Sequence, residues 1–141
     1  MADAFQHFID AQSGVYETAL KEIRRGIKTS HWMWFIFPQL AGLGRSPTAR
    51  FSAPAPLDEA RAYLAHPLLG QRLKACAQAV AAHAGQSARA IFGAPDDLKL
   101  RSSLTLFEAA DPTAAEFGAA LDAVCGGVRD PATLTMIGES R

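Results

Sequence analysis

Tyr16, Leu20 and Ile23 fall at the three- and four-residue spacing of a helix face. Ser13 stands before them as an N-cap and Gly26 after them as a stop. A shorter helical turn over Ala4–Ala11 is expected to bury Phe5 and Phe8. Further along, Leu57–Ala65 reads as a helix started near Asp58 and broken at His66-Pro67. Leu68, Leu69, Leu73, Cys76, Ala77 and Val80 then line one side of a helix over Pro67–Ala84. Ser87–Phe92 is a short helix stopped by Gly93. Asp96 or Asp97 caps the next, to about Ala110; Pro112 or Thr113 opens another through Val124; and Asp130-Pro131 caps a last one to Ile137.

Two stretches are less regular. Trp32–Phe37 places six large apolar residues in a row, which suits a buried strand. Ser30 as a cap and Pro38 as a stop allow a short buried helix instead. Helix is preferred because strand signals elsewhere are too few to supply partners. Met33, Phe35, Ile36 and Phe37 are expected in the core. Ser46-Pro47 has the chemistry of a cap followed by an N1 proline and predicts a short helix over Pro47–Phe51. The fold class is therefore all-α, a single compact domain over residues 1–141 with about seven to eight short helices.

Composition narrows the function classes. Hydrophobic residues are 49% and charged residues 20%, which argues against disorder. Lys and Arg total 14, as do Asp and Glu, so no global field gathers nucleic acid or anionic lipid. No apolar run approaches the ~20 residues of a membrane span, and Met1–Asp10 lacks the apolar core of a signal peptide. The expectation is a cytoplasmic protein with no nucleic-acid or membrane partner. Cys76 and Cys125 read as buried free thiols. The four histidines and two cysteines have no metal-ligand spacing, so neither a metal nor a cofactor is expected.

Candidate chemistry concentrates between residues 28 and 46, where both tryptophans lie. Trp32 and Trp34 offer flat faces on which a base or sugar can stack. Lys28 supplies a cation, Ser30 and Gln39 supply hydrogen bonds, and His31 is a candidate acid or base. Gly42 and Gly44 permit close approach of a ligand, and Arg45, with the amides from Ser46 to Ala49, forms an anion-receiving end. A second segment, Asp97–Phe107, puts Lys99, Ser102 and Ser103 on one helix face. These three, with His31, are the weak catalytic candidates. The order of Lys99 and the serines is wrong for a Ser-x-x-Lys nucleophile, and a polar stripe that bonds the Trp32–Gln39 segment or a ligand is preferred.

These segments resemble the family known as domain of unknown function 1810, sometimes labelled calpastatin-like. The likeness runs from about Phe5 to Leu134. Its most specific part is Lys28-x-Ser30-His31-Trp32-Met33-Trp34-x-x-Phe37-Pro38-Gln39-x-x-Gly42-Leu43-Gly44-x-Ser46. Further matches are Tyr63-Leu64-x-His66-Pro67-x-Leu69-Gly70, Ile91-Phe92-Gly93 and Ser102-Ser103-Leu104-Thr105-Leu106-Phe107. The family pattern usually has Met at the position of Leu104, a volume-conserving change. The resemblance implies a mostly helical single domain and carries no reaction with it. Two functions remain: a pocket for a small anionic metabolite, phosphorylated or nucleotide-like, or a protein-interaction module without enzymatic activity whose partner the sequence does not name.

Overall fold

Two helices organise the molecule in this computed structural model, which describes residues 5–39 and 56–139. The described residues form α1 (Gln6–Gln12), α2 (Tyr16–Arg25), α3 (Met33–Ile36), α4 (Pro56–Ala65), α5 (Leu69–Ala81), α6 (Ala88–Phe92), α7 (Asp96–Ala110), α8 (Ala115–Val124) and α9 (Pro131–Glu139). No strand occurs among them. The fold is all-α and a single compact domain. Helices α4 and α8 each pack against both α5 and α7 and so bridge the two. Helix α7 also meets α3, α6 and α9, which makes it the hub of the domain. Its residues Leu100, Ser103, Leu104, Thr105, Leu106, Phe107 and Ala110 are all buried.

Aromatic contacts tie this core together. Phe107 lies 5.6 Å from Tyr63 and 5.9 Å from Phe117, centre to centre, and Tyr63 meets Phe5 and Phe8 edge-on at 5.4 and 5.2 Å. Edge-to-face packing of this kind adds to the gain from burial itself. Trp32 and Phe37 both pack edge-on against Phe92, at 6.0 Å each, and so dock α3 on α6.

Several helix ends follow the expected chemistry. Gly26 takes φ 79°, the left-handed stop that glycine adopts at no steric cost. Gly93 ends α6 as expected, while Ser87, expected as the first residue of that helix, caps it instead, its Oγ accepting the Ala90 N–H. Other ends differ. Helix α2 begins after Val15 rather than at Ser13, and Val15 makes no side-chain cap. Ser30 does not cap α3, because its hydroxyl is drawn to Glu22 instead. Helix α5 starts at Leu69, where His66 Nδ1 accepts the N–H groups of Leu68 and Leu69 and closes the turn. Helix α7 starts after Pro95, which places Asp96 inside the first turn rather than at the cap. The carbonyls of Gly93 and Pro95 receive the first amides of that helix. Helix α8 follows Ala114, with Asp111 Oδ1 receiving Thr113 just upstream. The predicted helix over Pro47–Phe51 lies outside the described residues.

No helix among the described residues is long and apolar enough to cross a membrane.

Candidate functional site

The turn between α2 and α3 is built around one buried carboxylate. Ala19, Glu22 and Ile23 share the buried face of α2. Glu22 Oε1 accepts the backbone N–H of Thr29 at 2.8 Å, that of Ser30 at 3.0 Å and the indole N–H of Trp32 at 3.0 Å. Its Oε2 accepts the Ser30 hydroxyl at 2.6 Å. Burial pushes this carboxyl up, yet the bonds from the Ser30 hydroxyl, Thr29, Trp32 and the Ser30 amide outweigh that and hold it down at about 2. The Lys28 N–H donates to the Ile91 carbonyl at 2.8 Å, which anchors the turn to α6.

Beyond this turn lies an open pocket of about 340 Å³. One wall is the 28–35 segment, with Lys28, His31, Trp32, Met33, Trp34 and Phe35; the other is the first turn of α7, with Asp96 and Lys99. The size falls in the range of small-molecule sites. Asp96 bridges two cations: its Oδ2 lies 2.9 Å from Lys28 Nζ and its Oδ1 lies 3.5 Å from Lys99 Nζ. Each ammonium also rests over an indole, Lys28 at 4.9 Å from the Trp32 ring centre and Lys99 at 5.3 Å from that of Trp34.

The two tryptophans have different places. Trp32 is 1% exposed and belongs to the core, whereas Trp34 is 42% exposed and faces the pocket. Phe35, expected in the core, is 40% exposed. The four-residue α3 buries Met33 and Ile36 on one side, and this leaves Trp34 and Phe35 on the other. Phe35 keeps a tie inward through its carbonyl, which accepts from Gln12 Nε2 at 2.7 Å.

The remaining sequence candidates divide clearly. Lys28, His31 and Lys99 are brought together at the pocket. Ser30 is held by Glu22, and Gln39 is half-buried away from the pocket lining. Ser102, one turn beyond Lys99 on α7, donates its hydroxyl to Asp130 Oδ2 at 2.8 Å. Ser103 is wholly buried, and its Oγ has no hydrogen-bond partner among the described residues. Among the described residues neither serine bonds the Trp32–Gln39 segment, and neither lines the pocket with Lys99. The hydroxyl on α7 that bonds back to its own helix is Thr105, to the Arg101 carbonyl at 2.7 Å. Gly42, Gly44, Arg45 and Ser46 lie outside the described residues.

Sequence reasoning missed Asp96 and Glu22. Asp96 reads as a helix-capping acid, and nothing in its neighbourhood signals a partner as remote as Lys28. Glu22 did leave a signal: it is an acid in phase with the apolar residues Ala19 and Ile23.

The model of a family described as "Protein of unknown function (DUF1810)" matches residues 2–137. The fold is similar to the crystal structure of the conserved hypothetical protein Rv1873 from Mycobacterium tuberculosis, with a TM-score of 0.82 and 47% identity over 95% of this chain and 96% of that one. A search of curated proteins finds no match.

Proposed function

The chain belongs to the DUF1810 family, and on this fold we propose that the pocket between the 28–35 segment and the start of α7 binds a small anionic, nucleotide-like ligand. The observation that carries the proposal is the partly exposed Trp34 indole with the Lys99 ammonium over its ring. An aromatic ring stacks on the indole, and the ligand's anionic group meets Lys99, whose side chain keeps 29% exposure. Lys28 plays another part. Its side chain is 7% exposed, and its ammonium already meets Asp96, the Ser30 carbonyl and the Trp32 ring. It supports the pocket wall, and Lys99 is the cation offered to the ligand. His31, exposed at the rim, is the group available for orientation or proton transfer.

A thermal-shift screen against nucleoside monophosphates and sugar phosphates tests this. The expected outcome is a reproducible rise in Tm that Lys99→Met removes, while the Tm of the ligand-free variant stays within about 2 °C of the parent, as for a surface substitution. No shift with any compound overturns the proposal.

A second reading has its own support. Ser30, Trp32 and Lys28 are engaged in internal bonds, as in a protein-interaction module whose motif residues hold the fold. Under that reading Trp34 and Phe35 form part of an apolar contact surface, and Lys99→Met leaves every ligand response unchanged.

A further inference from the structure

The charged groups of the pocket are unequally engaged, and that inequality constrains the ligand. Lys28 Nζ has three protons and three partners: Asp96 Oδ2 at 2.9 Å, the Ser30 carbonyl at 2.5 Å and the Trp32 ring. Asp96 is thereby held in place, in the first turn of α7, where the helix dipole favours an acid. Its other oxygen, Oδ1, is 3.5 Å from Lys99 Nζ, longer than a charge-assisted hydrogen bond. One loosely paired ammonium, lying over the ring of the partly exposed Trp34, therefore stands beside one loosely paired carboxylate oxygen.

We infer that Asp96 is a specificity-determining residue, and that the pocket takes an aromatic ligand carrying a single phosphate or carboxylate together with a hydrogen-bond donor such as a ribose hydroxyl. This rests on the reading of the pocket as a nucleotide-like site. The ring lies on Trp34, the anion meets Lys99, and the donor meets Asp96 Oδ1. Among the described residues, two lysines against one aspartate leave a single positive charge to be matched. A second and third phosphate bring negative charge toward a fixed carboxylate, and among the described residues the pocket lining offers no further lysine or arginine to receive it. Like charges at such distances repel, and in a half-buried pocket they are poorly screened. Asp96 thus rejects polyphosphates while it accepts a hydroxyl, which is selection by repulsion as well as attraction.

Isothermal titration of the full chain with AMP, ADP and ATP, without magnesium, tests the inference. The expected result is AMP binding at least tenfold tighter than ATP, with ADP between them. In Asp96→Asn the gap narrows to less than threefold. Should that variant fail to fold with Lys28 unpaired, the double variant Lys28→Met, Asp96→Asn removes both charges of the pair and is measured in the same way. The comparison within the parent chain stands without either variant. ATP binding as tightly as AMP, or a gap unchanged in the variants, overturns the role of Asp96 and leaves the pocket reading in place. Failure of all three nucleotides to bind overturns both.

Discussion

Glu22 is one residue on which several others depend. It satisfies two backbone amides, a hydroxyl and an indole N–H from a buried position. Glu22→Gln puts an amide where these donors need an acceptor. Hydrogen bonds to charged groups contribute ~1.5–3 kcal/mol each and are not additive, so a loss of about 2–4 kcal/mol is expected in urea unfolding. The pH dependence has a definite sign. The folded carboxyl is held at about 2, below its usual 4.5, so its contribution is complete above pH 4.5 and is lost as the pH falls toward 2. The stability difference between parent and Glu22→Gln should therefore shrink across that window, and a difference independent of pH would show that the charge is not what matters. The two serines of α7 give a sharper contrast. Ser102→Ala removes the bond to Asp130 and should cost ~1 kcal/mol. Ser103→Ala removes a buried hydroxyl that has no partner among the described residues and should leave stability unchanged or raise it. Chemical denaturation of both variants decides, and equal losses would contradict the assignment.

At the scale of elements, α4 and α5 approach closely at Gly70. A Cβ at Gly70 would run into the Leu64 backbone carbonyl, and backbone cannot turn aside as a side chain can. The neighbouring His66 fixes the geometry by receiving two amides from the start of α5. Gly70→Ala should destabilise the domain by about 3 kcal/mol or more, beyond an ordinary overpacked core site. A Tm within a degree of the parent would mean that the two helices separate easily. Much of this level was legible in the sequence. The apolar stripe of α5, the stops at Gly26 and Gly93 and the helix state of the aromatic run are local chemistry, and local chemistry is written in neighbouring residues. What is not local was hidden. Four residues of helix are too few for a reliable face, so Phe35 read as core although it lies half-exposed beside Trp34. Asp96 read as a cap because its partner Lys28 is brought near only by the folding of α7 onto α3. Ser102 and Ser103 do share a helix face with Lys99, yet beyond the first turn that face is covered, with Ser102 bonded to Asp130 just before α9 and Ser103 in the core.

For the whole molecule, the core is closed around both thiols. Cys76 is completely buried, and burial pushes its thiol up to about 12, with Arg24 and Arg72 opposing. Burial raises Cys125 as well, against Arg101. The thiolate is the reactive form, so the native protein should react with an aromatic disulfide reagent at pH 8 only as fast as it opens. Two thiols released together on adding denaturant would mark one cooperative unit. Early release of Cys125 alone would place the α8 end in a less stable unit.

The placement of the two indoles has an optical consequence. They are the only tryptophans in the chain, and they sit in opposite surroundings. Trp32 is sealed in the core with its N–H on a carboxylate, while Trp34 is open to solvent beneath an ammonium. Their fluorescence is therefore a sum of two separable emitters: a blue component that acrylamide cannot reach and a redder one that it quenches. Trp34→Phe leaves an emitter that reports unfolding alone, and the light lost in that variant is the signal of the pocket.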